Sequence, residues 1–268
     1  MTKPLIVVDL DGTLLDEKGS YSARTRDFFR KLNEEGYPVI LASGRPYRAM
    51  KRIYEDLRCH APVISYNGAY VFHPLDPSFP VFEASFDAKT INRIYDKTKG
   101  YVNSFMAESR EIIFIDHEDQ NLARYFPYYD MEIRVGPLSS TVTEATFTCL
   151  FRCDPKDLGR LKEDCDSIDG IAWRAWHNSY YSELYIPNAH KGAALAYLLR
   201  VMGRDKADVY AFGDSENDIP MLLEAGHPFA MTNNRTPELM SSFPLTKKPV
   251  DEDGVMMTLL EELPSLHF

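Results

Sequence analysis

Little in this sequence points outward. There are only four cysteines, Cys59, Cys149, Cys153 and Cys165. None forms a CxxC pair and no histidine-rich partner stands at zinc-ligand spacing, which sets aside a disulfide scaffold and a thiolate zinc site. Reduced thiols in a cytoplasmic protein are the expectation. No apolar run is long enough to cross a bilayer. The first apolar stretch is interrupted at Asp9, too early for a secretory signal. Basic blocks are missing too, and the formal net charge is −10. This argues against a general nucleic-acid binder, although not against a small anion held by a metal and a few cations. Internal repeats and low-complexity tracts are absent. What is present is ordinary globular composition, 44% hydrophobic and 26% charged over 268 residues, enough for one large domain or two smaller ones.

Strand and helix signals alternate at both ends of the chain. Leu5–Leu10 is an apolar run broken only at Asp9, as expected of a strand buried on both faces. Ser22 is placed to cap a helix ending near Gly36, with Phe28, Phe29 and Leu32 on its apolar side. "YPVILAS" and "APVIS" read as further buried strands, separated by a helix opening at Pro46. Later, "HKGAALAYLLRVMG" reads as a helix, "ADVYAFG" as a strand, "ENDIPMLLEAG" as a helix and "HPFAM" as a short strand. Such alternation predicts a parallel sheet wrapped by helices.

The middle differs. "FHPLDPSFPVF" reads as a proline-rich hairpin or linker. Beyond it come helical "FDAKTINRIYDKTKG", strand-like "REIIFIDH", helical "DQNLARYF", alternating "ATFTCLFRC" and helical "PKDLGRLKEDC". "IAWRAWHNSYYSELYIP" reads as two strands joined by a His-Asn-Ser turn. The expectation is an α+β module over residues 85–185, inserted into an α/β core built from 1–84 and 186–268.

The first strand ends in "VVDLDGT". Residues i and i+2 of a strand face one side, so Asp9 and Asp11 present two carboxylates near one place, and Gly12 permits a sharp turn beyond. In open α/β sheets ligands bind outside the carboxyl ends of the strands. A pair of solvated turn aspartates is the bland alternative. A calcium loop does not fit, because Gly12 is fourth from Asp9 rather than sixth and a strand, not a helix, precedes it. The other strand ends decide between these. "LASGRP" contributes Ser43, Gly44 and Arg45; "AFGDSENDIPM" contributes Asp214, Asn217 and Asp218; "IPNAHKG" places Lys191 at a helix start. Carboxylates, a hydroxyl and an ammonium at successive element ends suit a magnesium ion and a phosphate.

"DLDGT", "SGR", "HKG" and "GDSENDIPM" stand in the order of the four motifs of the haloacid dehalogenase-like superfamily. The chain resembles its Cof-type phosphatases, the subfamily with an α/β cap (IIB), whose signatures are similar to "SYNGAYV", "ELYIPNAHKGAAL", "FAMTNN" and "DEDGV" here. The resemblance implies a doubly wound, Rossmann-like core and hydrolysis of phosphate monoesters through an aspartyl-phosphate. Asp9 would be the nucleophile. Asp11 would protonate the leaving oxygen and then accept a proton from water. Asp9 and Asp214, with the main-chain carbonyl of Asp11, would bind Mg2+, and Asp218 would orient water or Lys191. Ser43, Gly44 and the backbone at Leu10 would bond the phosphoryl oxygens, Lys191 would offset the shared negative charge, and Asn217 would lie near the phosphate. Arg45 and Asn67 match positions flanking the motifs and would line the entrance. The dehalogenases lack a carboxylate two residues after the nucleophile, because a halide leaves unprotonated; Asp11 therefore favours phosphate esters.

Alternatives of different class remain: a phosphomutase of the same superfamily, a non-catalytic phosphometabolite-binding regulator, and an α/β interaction protein. Filled positions at Asp9, Asp11 and Asp214 weigh against the regulator. The implied partner is a small phosphorylated metabolite, with no nucleic acid and no membrane; oligomeric state is not readable. The His190 side chain is expected to point away from the site, Trp173, Arg174, Trp176 and His177 to be packing and hairpin residues of the inserted module, and the tract "YFPYYD" to serve packing. The inserted module is expected to close over the phosphate site and select the leaving group.

Overall fold

The structure is a computed structural model that describes residues 3–126, 131–176, 180–234, 236–263 and 266. In chain order, the first group of elements is β1 (Leu5–Asp9), α1 (Ala23–Glu34), β2 (Val39–Ala42), α2 (Tyr47–Asp56), β3 (Val63–Ser65), β4 (Tyr70–Phe72) and β5 (Phe82–Glu83). The second is α3 (Ala88–Thr98), β6 (Ser104–Glu108), β7 (Ile112–Ile115), α4 (Gln120–Tyr125), β8 (Glu132–Val135), α5 (Leu138–Thr141), β9 (Thr148–Arg152), α6 (Leu158–Asp166), β10 (Ala172–Ala175) and β11 (Tyr181–Tyr185). The third is α7 (Lys191–Met202), β12 (Val209–Gly213), α8 (Ile219–Leu223), β13 (His227–Ala230), α9 (Pro237–Ser242) and α10 (Gly254–Glu262). Two compact units result: Ala84–Ala189 forms one, and the segments flanking it form the other.

The flanking segments build a seven-stranded sheet in the order β13-β12-β1-β2-β3-β4-β5. Its first five strands run parallel, and β4 and β5 return antiparallel as a hairpin across the proline-rich stretch. Period-two alternation divides the core. Ile6, Val8, Val39 and Leu41 pack with Phe29, Met50, Tyr54 and Leu259 on one face. Leu5, Val7, Ile40 and Ala42 pack with Leu195, Leu198 and Leu222 on the other. Helices thus cover both faces, as the uninterrupted apolar strands require. β1 lies centrally between β12 and β2, so the ends of all three strands open on one edge of the sheet. Ser22 caps α1 by accepting from the Thr25 N–H at 2.9 Å.

The inserted unit is a six-stranded sheet ordered β10-β11-β9-β6-β7-β8, antiparallel except for β7 with β8. Phe105, Phe114, Cys149 and Phe151 face α3 and α6 through Ile91, Ile94, Tyr95 and Leu161. Within this unit, β6, β8 and α5 carry no clear sequence signal. β6 reads "SFMAE", whose small and polar residues carry no clear period, yet it lies at the interior of the sheet between β9 and β7. The predicted His177–Ser179 turn, and residues 127–130 of the tyrosine-rich tract, lie outside the described residues. Trp176 stacks edge-on with Phe126, and Arg174 pairs with Glu183 across β10 and β11. No helix among the described residues is long and apolar enough to cross a membrane.

Candidate active site

Lys191 organises the strand-end cluster. It opens α7, whose N-cap is His190; the ring Nδ1 of His190 accepts from the Ala193 N–H at 3.1 Å, so that ring serves the helix start. The Lys191 side chain is wholly buried and runs to the end of β1. Its Nζ donates to Asp9 Oδ1 at 2.5 Å and to Asp218 Oδ1 at 2.6 Å. Asp218 Oδ2 in turn accepts from the backbone N–H groups of Asp214 and Ser215, at 3.0 and 3.1 Å. Both oxygens of Asp218 are therefore occupied in holding Lys191 and the turn after β12.

Asp9, Asp214 and Asp218 each offer a carboxylate oxygen within 4.8 Å of one another. Asp214 Oδ1 is buried and has no hydrogen-bond partner. Three carboxylates around one ammonium, with a buried oxygen left unpaired, make a donor set of hard oxygens suited to a divalent cation. The electrostatics agree. Burial, reinforced by Asp218 and opposed by Lys191, pushes the Asp9 carboxyl up to about 8. Burial, again with Asp218, raises Asp214 to about 6. Burial alone would lower the Lys191 ammonium, but Asp218 and Asp9 override it and hold it above the usual lysine range. The pocket is short of positive charge, and a cation is what it fits.

Asp11 lies at the rim. Arg45 grips it with two arms, Nε donating to Oδ2 at 2.9 Å and a terminal nitrogen to Oδ1. Ser43 is buried, and its Oγ accepts from the Arg45 N–H at 3.1 Å, which shapes the loop after β2. Leu10 is buried, and its carbonyl accepts from the Leu14 and Leu15 N–H groups in the turn beyond β1. Asn217 donates from Nδ2 to Asn67 Oδ1 at 2.8 Å, and the Asn67 side chain lies against Gly44. The structure therefore gathers Asp9, Lys191, Asp214 and Asp218 in one hydrogen-bonded cluster, and joins Asp11 to Arg45 and Asn67 to Asn217 as pairs beside it.

Three sets of contacts carry no signal in the local sequence. Gly12, at φ 82°, has its α-carbon so close to Asp214 that a Cβ would lie 2.3 Å from Oδ2. Asn233 donates from Nδ2 to the Gly12 carbonyl at 2.8 Å and accepts from the Val250 N–H at 3.0 Å. The "FAMTNN" stretch thus holds the turn that follows the paired aspartates. Asp253, in "DEDGV", accepts from the hydroxyls of Ser22 and Thr25 at the start of α1. For Asn233 and Asp253 the signal in the sequence is their place in "FAMTNN" and "DEDGV".

Comparison with known proteins gives a consistent picture. The family of haloacid dehalogenase-like hydrolases matches residues 6–259. The 5-amino-6-(5-phospho-D-ribitylamino)uracil phosphatase YitU of Bacillus subtilis is 28% identical, over 97% of this chain and 98% of its own. The pyridoxal phosphate phosphatase YbhA of Escherichia coli is 27% identical, over 87% of this chain and 89% of its own. The crystal structure of a haloacid dehalogenase-like hydrolase from Bacteroides thetaiotaomicron superposes with a TM-score of 0.86 at 26% identity, covering 98% of this chain and all of that one.

Proposed function

This chain belongs to the haloacid dehalogenase-like hydrolases, and from that membership we propose that it is a Mg2+-dependent phosphatase of small phosphorylated metabolites that works through an aspartyl-phosphate. The observation that carries the reading is Lys191, buried between Asp9 and Asp218 beside the unpaired Asp214 oxygen. That arrangement leaves an excess of buried negative charge at the end of β1. Asp9, Asp214 and the main-chain carbonyl of Asp11 would hold the cation, and Asp218 would fix Lys191 and the Asp214 turn.

In the first step a carboxylate oxygen of Asp9 attacks phosphorus while the ester P–O bond breaks, and the leaving alkoxide takes a proton from Asp11. Asp11 enters this step after parting from Arg45. In the second step water attacks phosphorus and gives a proton to Asp11. The Asp9–phosphorus bond breaks, releasing inorganic phosphate and restoring the carboxylate. Lys191 offsets the charge that Asp9 shares with the phosphoryl group, Ser43 and the Leu10 and Gly44 backbone hold the phosphoryl oxygens, and Arg45 lines the entrance. The cation, when bound, supplies neutralisation of the phosphoryl oxygens and keeps Asp9 ionised.

Relatives named for a phosphoribityl pyrimidine and for pyridoxal phosphate support a small-metabolite substrate class. The inserted unit would select among such substrates. The test is a phosphate-release screen across sugar phosphates, nucleotides and cofactor phosphates, with Mg2+ and with chelator. Release that needs Mg2+ is expected. No release from any ester, with turnover appearing only when a bisphosphate activator is supplied, would move the chain to the mutases.

A further inference from the structure

Tyr66, Asn67 and Gly68 follow β3 with φ of 49°, 55° and 103°. Three consecutive residues in the left-handed half of backbone space, two of them not glycine, persist only where the surroundings over-determine them. Three surroundings do so. The Asn67 N–H donates to the Ser43 carbonyl at 3.0 Å and the Tyr66 N–H to the Arg45 carbonyl at 3.2 Å, tying the turn to the loop after β2. Gly68 presses its α-carbon on the start of α7: a Cβ there would lie 2.4 Å from the His190 carbonyl oxygen and 2.9 Å from the Lys191 nitrogen. Asn67 Oδ1 accepts from Asn217 Nδ2 at 2.8 Å.

One turn therefore touches three groups that arrive from separate elements: Ser43 after β2, Lys191 at the start of α7 and Asn217 after β12. The Asn217 carboxamide is held at both ends, because its Oδ1 accepts from the Ser215 hydroxyl at 2.8 Å. An amide nitrogen has two hydrogens. Asn67 takes one and so fixes the direction of the other. A phosphate pocket needs its donors held to within a fraction of an ångström, and no single one of these three elements sets that spacing.

We propose that Asn67 and Gly68 are positioning residues: Asn67 acts through the Asn217 amide and Gly68 through the start of the Lys191 helix, and neither touches the phosphoryl group. The proposal rests on the phosphatase reading of the same site. It gives the "SYNGAYV" stretch a task distinct from binding substrate.

The test is a double-mutant cycle of Asn67→Gly and Asn217→Ala in the full chain. Glycine at 67 keeps the left-handed backbone and removes only the amide. Inorganic phosphate binding with Mg2+ present is measured by calorimetry, and kcat and KM are measured for p-nitrophenyl phosphate. Asn67→Gly should weaken phosphate binding about five- to tenfold, the worth of one hydrogen bond, with an unchanged melting temperature. The double variant should be no weaker than Asn217→Ala alone. Fold-changes that multiply, or wild-type affinity in Asn67→Gly, overturn the positioning role of Asn67. Gly68→Ala should lower kcat at least about tenfold, the cost of misaligning a catalytic group; wild-type kcat in that folded variant overturns the role of Gly68. If Gly68→Ala does not fold, the cycle alone decides the proposal. A wild-type chain that neither binds phosphate nor hydrolyses the ester overturns the phosphatase reading and this proposal with it. Binding and hydrolysis together with a multiplicative cycle overturn this proposal alone.

Discussion

Replacing Lys191 with methionine removes one charge and little volume. Lys191 Nζ stands 2.5 Å from Asp9 and 2.6 Å from Asp218, with no exposed surface. At an effective dielectric of about 20, each contact is worth about 6 to 7 kcal/mol of attraction. Against this stands the desolvation of a buried ammonium, several kcal/mol. Breaking a buried pair from one side leaves the other charges uncompensated and costs about 3–5 kcal/mol. We expect Lys191→Met to lose that much in urea unfolding at pH 9, where Asp9 is ionised in the wild type, with chelator present. The sign with pH follows from the carboxyls. Burial and Asp218 already hold Asp9 at about 8 and Asp214 at about 6 with Lys191 in place. A carboxyl raised in the folded state carries no penalty below its unfolded value of about 4; the penalty grows as pH rises from there to the folded value and is complete above it. Without Lys191 these values rise further, so the loss in Lys191→Met should build up as pH passes the wild-type values and shrink from pH 9 toward pH 4. Adding Asp218→Asn should recover part of it, since one of the stranded charges is gone. A loss below about 1 kcal/mol at pH 9, in a variant that unfolds cooperatively, would refute the charge-compensation argument; that is the range of an ordinary exposed pair.

Four further outcomes are expected. Asp9→Asn should lower phosphate release by about a thousandfold or more, because an amide is a poor nucleophile; near wild-type turnover, with deamidation excluded by mass spectrometry, removes Asp9 from that role. Mg2+ at about 100 times its dissociation constant should stabilise the wild type by about 2.7 kcal/mol and leave Asp214→Asn nearly unchanged, as read by thermal melts, while Ca2+ should inhibit turnover. In the inserted unit, Asp119 is buried and accepts from Ser104 and Arg152, both at 2.7 Å. Burial would raise its carboxyl, but these bonds hold it down to about 2, so Asp119→Asn should cost about 2 kcal/mol at pH 7. A lowered carboxyl stabilises above its unfolded value of about 4, and the difference between variant and wild type should fade as pH falls toward 2; a pH-independent difference contradicts the ion-pair account. Finally, replacing the inserted unit with a short linker should preserve p-nitrophenyl phosphate hydrolysis and abolish discrimination among metabolite phosphates; an unchanged substrate ranking in a folded, Mg2+-binding core counts against a selective role for the insert.

The α/β core was legible because its signals are local. Leu5–Val8 and Val39–Ala42 are apolar on every residue, which only a strand covered on both faces tolerates, and Ser22 announces its helix by capping it. The family's four motifs were legible for a related reason, since each lies within a few residues at one strand end or helix start. In the inserted unit the signals are weaker. β6 is interior to its sheet yet reads "SFMAE", because antiparallel strands draw their burial from neighbours rather than from their own period.

Lateral partnership was decided by tertiary structure alone. Periodicity states how deeply a strand is buried, not which strands flank it. The order β12-β1-β2 is what brings Lys191 to Asp9 across 182 positions and Asn217 to Asn67 across 150. The grip of Arg45 on Asp11, the hold of Asn233 on the Gly12 carbonyl and the seat of Gly68 on the start of α7 come from the same packing. The sequence by itself determined which chemical groups would stand at the ends of the strands. Only the folded sheet decided which of them meet, because a hydrogen bond between distant residues depends on where whole elements come to rest against one another.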